Sequence, residues 1–404
     1  GVSARTADGA YGAGEIIVIE VSFSEAVKVT GKPTLKLETG DTDRTVEYTS
    51  GTESDTLVFT YTVQEGDVAS DLDYTSTTAL ALAGGTILSV ADDTAAVLTL
   101  ASPGQTGSLG AAKALVIDTS VPSGYSVSLD QDSINSGNEK KVSFTFAGAE
   151  VGTDYSYTIS SSGGGTNVAG SGTIATAADK ISSLDVSSLG DGTLTLSVTL
   201  TDDADNSGSA VTDTVSKDAT APSGQSVTFG QSVVNDSNKD AIDFTFAAAE
   251  VGATYSYTIS SSGGGTDVTG SGTIATATDK ITGIDLSGLE DGKLILSVTL
   301  TDAASNAATA VTDTISKDAS IPSAPSAPLL AIGSNSGSTT DTLTNDTTPT
   351  ITGTVEANAT VAVFVGATSA GTTTADGSGD WSFTFTDGAL ASGAKSITIT
   401  AADA

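Results

Sequence analysis

The sequence contains no cysteine, no histidine, no methionine and a single tryptophan. Without Cys, stability cannot depend on disulfides, and neither an oxidising nor a reducing compartment is indicated. Without His or Cys, Ser-His-Asp and Cys-His nucleophilic machinery cannot be assembled, and zinc and copper sites lose their usual ligands. One Trp and 5% aromatics provide no aromatic-lined cleft in which a carboxylate pair would hydrolyse a glycoside. Gly163-Gly-Gly165 joins two strands instead of opening a helix, and no Lys follows it, so it is no phosphate loop. No enzyme is expected. No stretch fits a signal peptide or a transmembrane helix, and with no Met the chain is expected to be a segment of something longer.

Positive charge is scarce as well. Lys and Arg number 15 against 49 Asp and Glu, a formal net charge of -34. That balance excludes nucleic acid and anionic lipid as partners and leads to self-repulsion unless cations bind. Divalent metal is the natural counter-charge.

What is present is alternation. Hydrophobic residues make up 38% of the chain, and the mean hydropathy of +0.09 argues for folded segments over a disordered polyanion. Val142, Phe144 and Phe146 alternate with polar residues, as do Tyr155, Tyr157 and Ile159, then Leu194, Leu196, Val198 and Leu200. A period of two means half-buried strands. Gly163-Gly-Gly165, Gly190-Asp-Gly192 and Asp202-Asp-Ala-Asp-Asn206 break them with turn chemistry.

A joint also recurs, as Asp118-Thr-Ser-Val-Pro122, Asp218-Ala-Thr-Ala-Pro222 and Asp318-Ala-Ser-Ile-Pro322, at a spacing of 100 residues. Proline cannot continue a central strand, so each copy reads as punctuation between modules. Four domains follow, at 1–118, 119–218, 219–318 and 319–404. Seven strands are expected in the second, near 125–129, 140–147, 154–162, 166–175, 180–189, 193–201 and 209–217. The third module overlays on it without a gap. The fold class is therefore all-β, a tandem array of four immunoglobulin-like antiparallel β-sandwiches. The first module, with Ile16–Phe23, Pro33–Leu37 and Thr56–Val63 as strands, is a divergent subtype. The last is expected to stop at the end of its sixth strand, lacking the seventh in this chain.

In Asp318-Ala-Ser-Ile-Pro322, Thr348-Pro-Thr-Ile-Thr-Gly-Thr-Val-Glu356 and Gly371-Thr-Thr-Thr-Ala-Asp-Gly-Ser-Gly-Asp-Trp381, the fourth module resembles the bacterial Ig-like repeats of giant surface adhesins and biofilm-associated proteins. The second and third, with Val198-Thr-Leu-Thr-Asp202 and the Asp-x-x-x-Pro joints, are similar to related repeats. The first, through Val21-Ser-Phe-Ser-Glu-Ala-Val27 and Pro33-Thr-Leu-Lys-Leu-Glu-Thr39, is similar to another repeat of such proteins. The resemblance implies a long rod at the bacterial surface or in the biofilm matrix, exported by a type I system, with calcium at or near the junctions.

Topology leads to calcium independently. If successive strands run alternately away from and back to the joint, the loops after the second, fourth and sixth strands share the pole where the module begins. The second module then gathers Asp118, Glu150, Asp202, Asp203 and Asp205, and the third gathers Asp218, Glu250, Asp302 and Asn306. The fourth gathers Asp318, Glu356 and Asp403. Calcium takes six to eight oxygens at ~2.3–2.6 Å in flexible geometry, which three converging loops can supply, whereas magnesium demands a stricter octahedron. Singly, each acid also reads as an ordinary turn residue, because Asp and Asn start turns by accepting nearby backbone amides. Asp191 and Asp291, in Gly-flanked turns at the opposite pole, and Asp213 and Asp313, at a sheet margin, receive only that reading.

Two functions are compatible with these features. The first is an extension segment of an adhesin, contacting further Ig-like domains of its own chain and stiffened by calcium, with about 35–45 Å per module from the ~3.3 Å strand rise. The second is a self-assembling surface-layer, sheath or filament subunit, whose missing strand a neighbouring copy supplies.

Overall fold

The computed structural model describes residues 1–338, 341–386 and 390–403. Its strands enclose four separate hydrophobic clusters, each between its own sheets. The chain is an all-β tandem array of Ig-like sandwiches, divided into two compact units, Gly1–Thr220 and Ala221–Ala404, each described by itself.

The second cluster shows how alternation becomes a core. A three-stranded sheet runs Ser126–Leu129, Val142–Ala147, Lys180–Leu184, and a four-stranded sheet runs Val168–Thr173, Asp154–Ser161, Gly192–Thr201, Val211–Lys217, all antiparallel. Leu194, Leu196, Val198 and Leu200 are fully buried, while the threonines and serines between them lie on the other face. Each such side chain contributes about 1.5–3 kcal/mol by leaving water. Phe144 meets the ring of Tyr157 edge-on at a centroid separation of 5.3 Å, and Tyr155 and Tyr157 stack at 6.4 Å. These tyrosines lean across the neighbouring edge strand, which accepts them because it carries Gly170 and Gly172 where a β-carbon would lie 2.7 Å from a tyrosine side chain.

The expected strand positions hold to within a few residues, except that the fifth ends at Leu184 and the chain beyond it buries Val186 and Leu189 as a loop. The fourth strand pairs with the third and not with the fifth, so the larger sheet is the one containing the sixth and seventh strands. The third cluster, in the second unit, repeats this arrangement strand for strand.

In the first cluster the long strand Ile16–Thr30 pairs with Val2–Ala4, Ser54–Thr62 and Thr86–Ser89, and the sheet continues through Arg44–Ser50 and Thr34–Glu38. A second sheet of Gly9–Tyr11, Leu115–Asp118 and Val68–Ala69 covers it, and one helical turn, Leu109–Ala112, plugs an end with buried Leu109. The last sandwich pairs Leu329–Leu330, Thr350–Thr354 and Asp380–Thr384 against Thr368–Thr374, Thr360–Val365 and Ile397–Ala402. Its sixth strand, Ile397–Ala402, pairs with Thr360–Val365, and no seventh lies among the described residues. Among them, no helix is long and apolar enough to cross a membrane.

Candidate metal centre at the module joints

In the second unit, the three residues assigned to the last joint come together. Asp318 follows the strand Val311–Lys317, Glu356 lies in the loop after Thr350–Thr354, and Asp403 follows Ile397–Ala402. One carboxylate oxygen from each lies within 4.8 Å of the other two, and among the described residues no other three acidic side chains are gathered so closely. The donors are hard oxygens only, a set that suits calcium or magnesium and not softer metals. Three carboxylates leave room in a sphere of six to eight for carbonyls and water, which calcium's flexible geometry tolerates best. Without a cation, each pair of charges repels by about 1–4 kcal/mol at such separations.

In the first unit the acids behave differently. Asp118, Glu150, Asp202, Asp203 and Asp205 do not form a close group of three. The carboxylate of Asp202 is occupied by its own loop, accepting from the backbone N–H of Ala204 and Asn206, both at 2.9 Å, and from the Asn206 side chain at 3.0 Å. Asp203 and Asp205 stand exposed at the loop tip, with Asp205 at a left-handed φ of 60°. Asp118 accepts from the N–H of Ser120, two residues on. Glu150 is exposed in the turn after Val142–Ala147. Asp118 and Asp202 thus make the local backbone contacts that the turn-residue alternative describes.

An amide hydrogen bond crosses the first joint. Asn206 donates from Nδ2 to the backbone carbonyl of Asp118 at 2.8 Å. Beside it, Gly12 packs so closely that a β-carbon there would lie 2.5 Å from the carbonyl oxygen of Ala204. Thr119, buried, donates to the carbonyl of Asp67 and accepts from the N–H of Gly66, both at 3.0 Å. Asn206 was not among the expected residues, although its counterpart Asn306 was; overlaying the two repeats at their 100-residue spacing would have found it.

The set expected at the remaining joint is divided, with Asp218 in the first unit and Glu250, Asp302 and Asn306 in the second. Within the second unit, Asp302 accepts from the N–H and from the side-chain amide of Asn306, both at 2.8 Å, and Asn306 is fully buried.

Asp191 and Asp291 are more than the bland turns expected of them. Asp191 accepts from the Ala219 N–H at 2.8 Å, from the Thr220 hydroxyl, and from Lys217 at 3.3 Å. Burial alone would raise its carboxyl, but the Thr220 hydroxyl, the Ala219 amide and the Lys217 ammonium outweigh it and hold the group below the usual carboxylate range. Asp291 is lowered in the same way by Ser320, Ala319 and Lys317, again against burial. Asp213 and Asp313 lie on edge strands, as expected, and there accept the N–H of Leu129 and Phe229 at 2.7 and 2.8 Å.

Residues 321–404 match the family model of the bacterial Ig-like domain. The last module is a bacterial Ig-like domain. No curated protein matches the chain. Among solved structures, the chain is similar to a tetra-tandem repeat in the extending region of a large adhesion protein, at 19% identity over 100% of this chain and 98% of that one, with a TM-score of 0.35. It is also similar to a structure concerned with host cell surface retention of a 1.5-MDa bacterial ice-binding adhesin, at 18% identity over 70% of this chain and 98% of that one, with a TM-score of 0.32. Glu356 and Asp403 belong to the Ig-like domain, whereas Asp318 precedes its matched span.

Proposed function

We propose that this chain is a non-catalytic extension segment of a bacterial surface adhesin, outside the cell, in which calcium stiffens the joint before the last Ig-like domain. The observation that carries the calcium assignment is the convergence of Asp318, from the linker, with Glu356 and Asp403, from two loops of the domain that follows. A cation held by all three ties the linker to that domain and removes their mutual repulsion. The extension role is supported by the repeated sandwiches, the short joints at fixed spacing and a charge of -34 that keeps neighbouring chains apart.

Calorimetric titration of the chelated chain, combined with thermal melting, tests this. Binding to the folded state alone must stabilise it, by about 2.7 kcal/mol at a hundredfold excess over Kd. The variant D318A/E356A/D403A is expected to lose one binding event and the accompanying rise in melting temperature. Equal calcium binding by wild type and variant would remove the assignment.

A further inference from the structure

A second device lies at the opposite end of each repeat, built from side chains that the cation site does not use. The seventh strand of the third sandwich ends at Lys317, whose side chain turns inward and is only 5% exposed. Its ammonium donates to the carbonyl of Leu289 at 2.6 Å and to Oδ1 of Asp291 at 3.2 Å. The same Oδ1 accepts the N–H of Ala319 at 2.9 Å, and Oδ2 accepts the hydroxyl of Ser320. Between them, the N–H of Asp318 donates to the carbonyl of Val234 at 2.9 Å. Four consecutive residues, 317 to 320, are thus hydrogen-bonded back onto the sandwich they are leaving, three of them through one carboxylate.

The first unit contains an independent copy. Lys217, 4% exposed, donates to the carbonyl of Leu189 at 2.9 Å and to Asp191, which also accepts from Ala219 and Thr220, while the N–H of Asp218 donates to the carbonyl of Ile134 at 2.9 Å. A buried lysine is costly unless paired, so its recurrence beside the linker calls for a role there.

We infer that Asp291, with Lys317, is a positioning pair that anchors the linker to the third sandwich without metal, so that the backbone of Asp318 is already fixed when a cation arrives. Ordering of this linker then precedes binding, and the cation has only to recruit Glu356 and Asp403 from the far side of the joint. The consequence for the cation rests on the calcium assignment above; the anchor itself does not. Asp191 and Lys217 act in the same way on residues 218 to 220.

Amide hydrogen exchange on the full chain, read at residues 317–320 in chelator and in calcium, tests the anchor. In chelator, the N–H groups of Asp318 and Ala319 are expected to exchange slowly in wild type. They should exchange at least about tenfold faster in D291A, as local opening becomes easier. The double variant D291A/K317M removes the buried charge together with its partner; it is expected to keep the sandwich strands protected while residues 318–320 stay fast. D291N, which retains an acceptor for Ala319, should restore slow exchange at that amide, a rescue that a general loss of stability would not give. Calcium affinity is expected to fall severalfold in the double variant. Unprotected linker amides in chelated wild type, or wild-type protection in D291A/K317M, would overturn the anchor. Slow exchange in chelator together with no calcium binding by wild type would remove calcium from the joint and leave the anchor standing.

Discussion

Asn206 reaches across 88 residues of sequence to donate its side-chain amide to the backbone carbonyl of Asp118. This hydrogen bond joins the loop after the sixth strand of the second sandwich to the last residue of Leu115–Asp118, the final strand of the first sandwich, where an acid-lined cation site was expected. N206A is expected to loosen the first joint and cost about 1–3 kcal/mol, since a partly buried carbonyl and the Asp202 carboxylate both lose a donor. G12A should loosen the same joint by collision with the Ala204 carbonyl, with the sandwich cores unchanged. Proteolysis at residues 118–124, compared with core melting, checks both.

The two buried lysines predict unequal costs. Lys217 retains Glu139 at 3.1 Å if Asp191 is removed, whereas position 239, the counterpart of Glu139, is a lysine paired with Asp236. Among the described residues, Asp291 is the carboxylate paired with Lys317. D291A is therefore expected to destabilise its sandwich by about 3 kcal/mol and D191A by clearly less. Urea-dependent hydrogen exchange of the strands Gly192–Thr201 and Gly292–Thr301 distinguishes the two within one chain.

Asp191 and Asp291 also set a pH dependence. Their carboxyls are lowered in the folded protein, against burial, by hydrogen bonds from a hydroxyl, a backbone amide and a lysine. Stability from such a group is complete above the ordinary aspartate value of about 3.9 and is lost as pH falls through the lower folded-state value. Linker protection at residues 219 and 319 should hold from neutral pH down to about pH 4 and collapse below it. A collapse beginning near neutrality would contradict this assignment.

The alternation of Val142, Phe144 and Phe146 and of Leu194 to Leu200 located strands and core directly, because period two is a local property of a half-buried sheet. The trio at Asp318, Glu356 and Asp403 was also legible, since strand direction alone decides which loops share a pole. The occupation of Asp202 by Asn206 was not. Whether a carboxylate faces a cation or its own loop depends on hydrogen-bond geometry within five residues, and both outcomes use the same letters. The roles of Asp191 and Asp291 were hidden for another reason: each depends on a lysine 26 residues later turning inward from a strand end, at a position where Lys normally faces water.

The glycines beneath the tyrosines provide a test of packing alone. A β-carbon at Gly270 would lie 2.5 Å from the ring of Tyr257, as one at Gly170 would lie 2.7 Å from that of Tyr157. G170A and G270A are each expected to displace the ring and cost about 1–3 kcal/mol. The near-ultraviolet circular dichroism of the tyrosines should change while the sheet signal persists.

The proposed stiffening of the last joint is open to a direct distance measurement, because the chain has no cysteine to compete with introduced labels. Spin labels at T312C on the third sandwich and S382C on the last report the joint by pulsed dipolar spectroscopy. The expected result is a broad distance distribution in chelator that narrows to a single sharp population in calcium, and that stays broad in calcium when E356A is added. Identical distributions with and without calcium would contradict a calcium-stiffened joint at Asp318, Glu356 and Asp403.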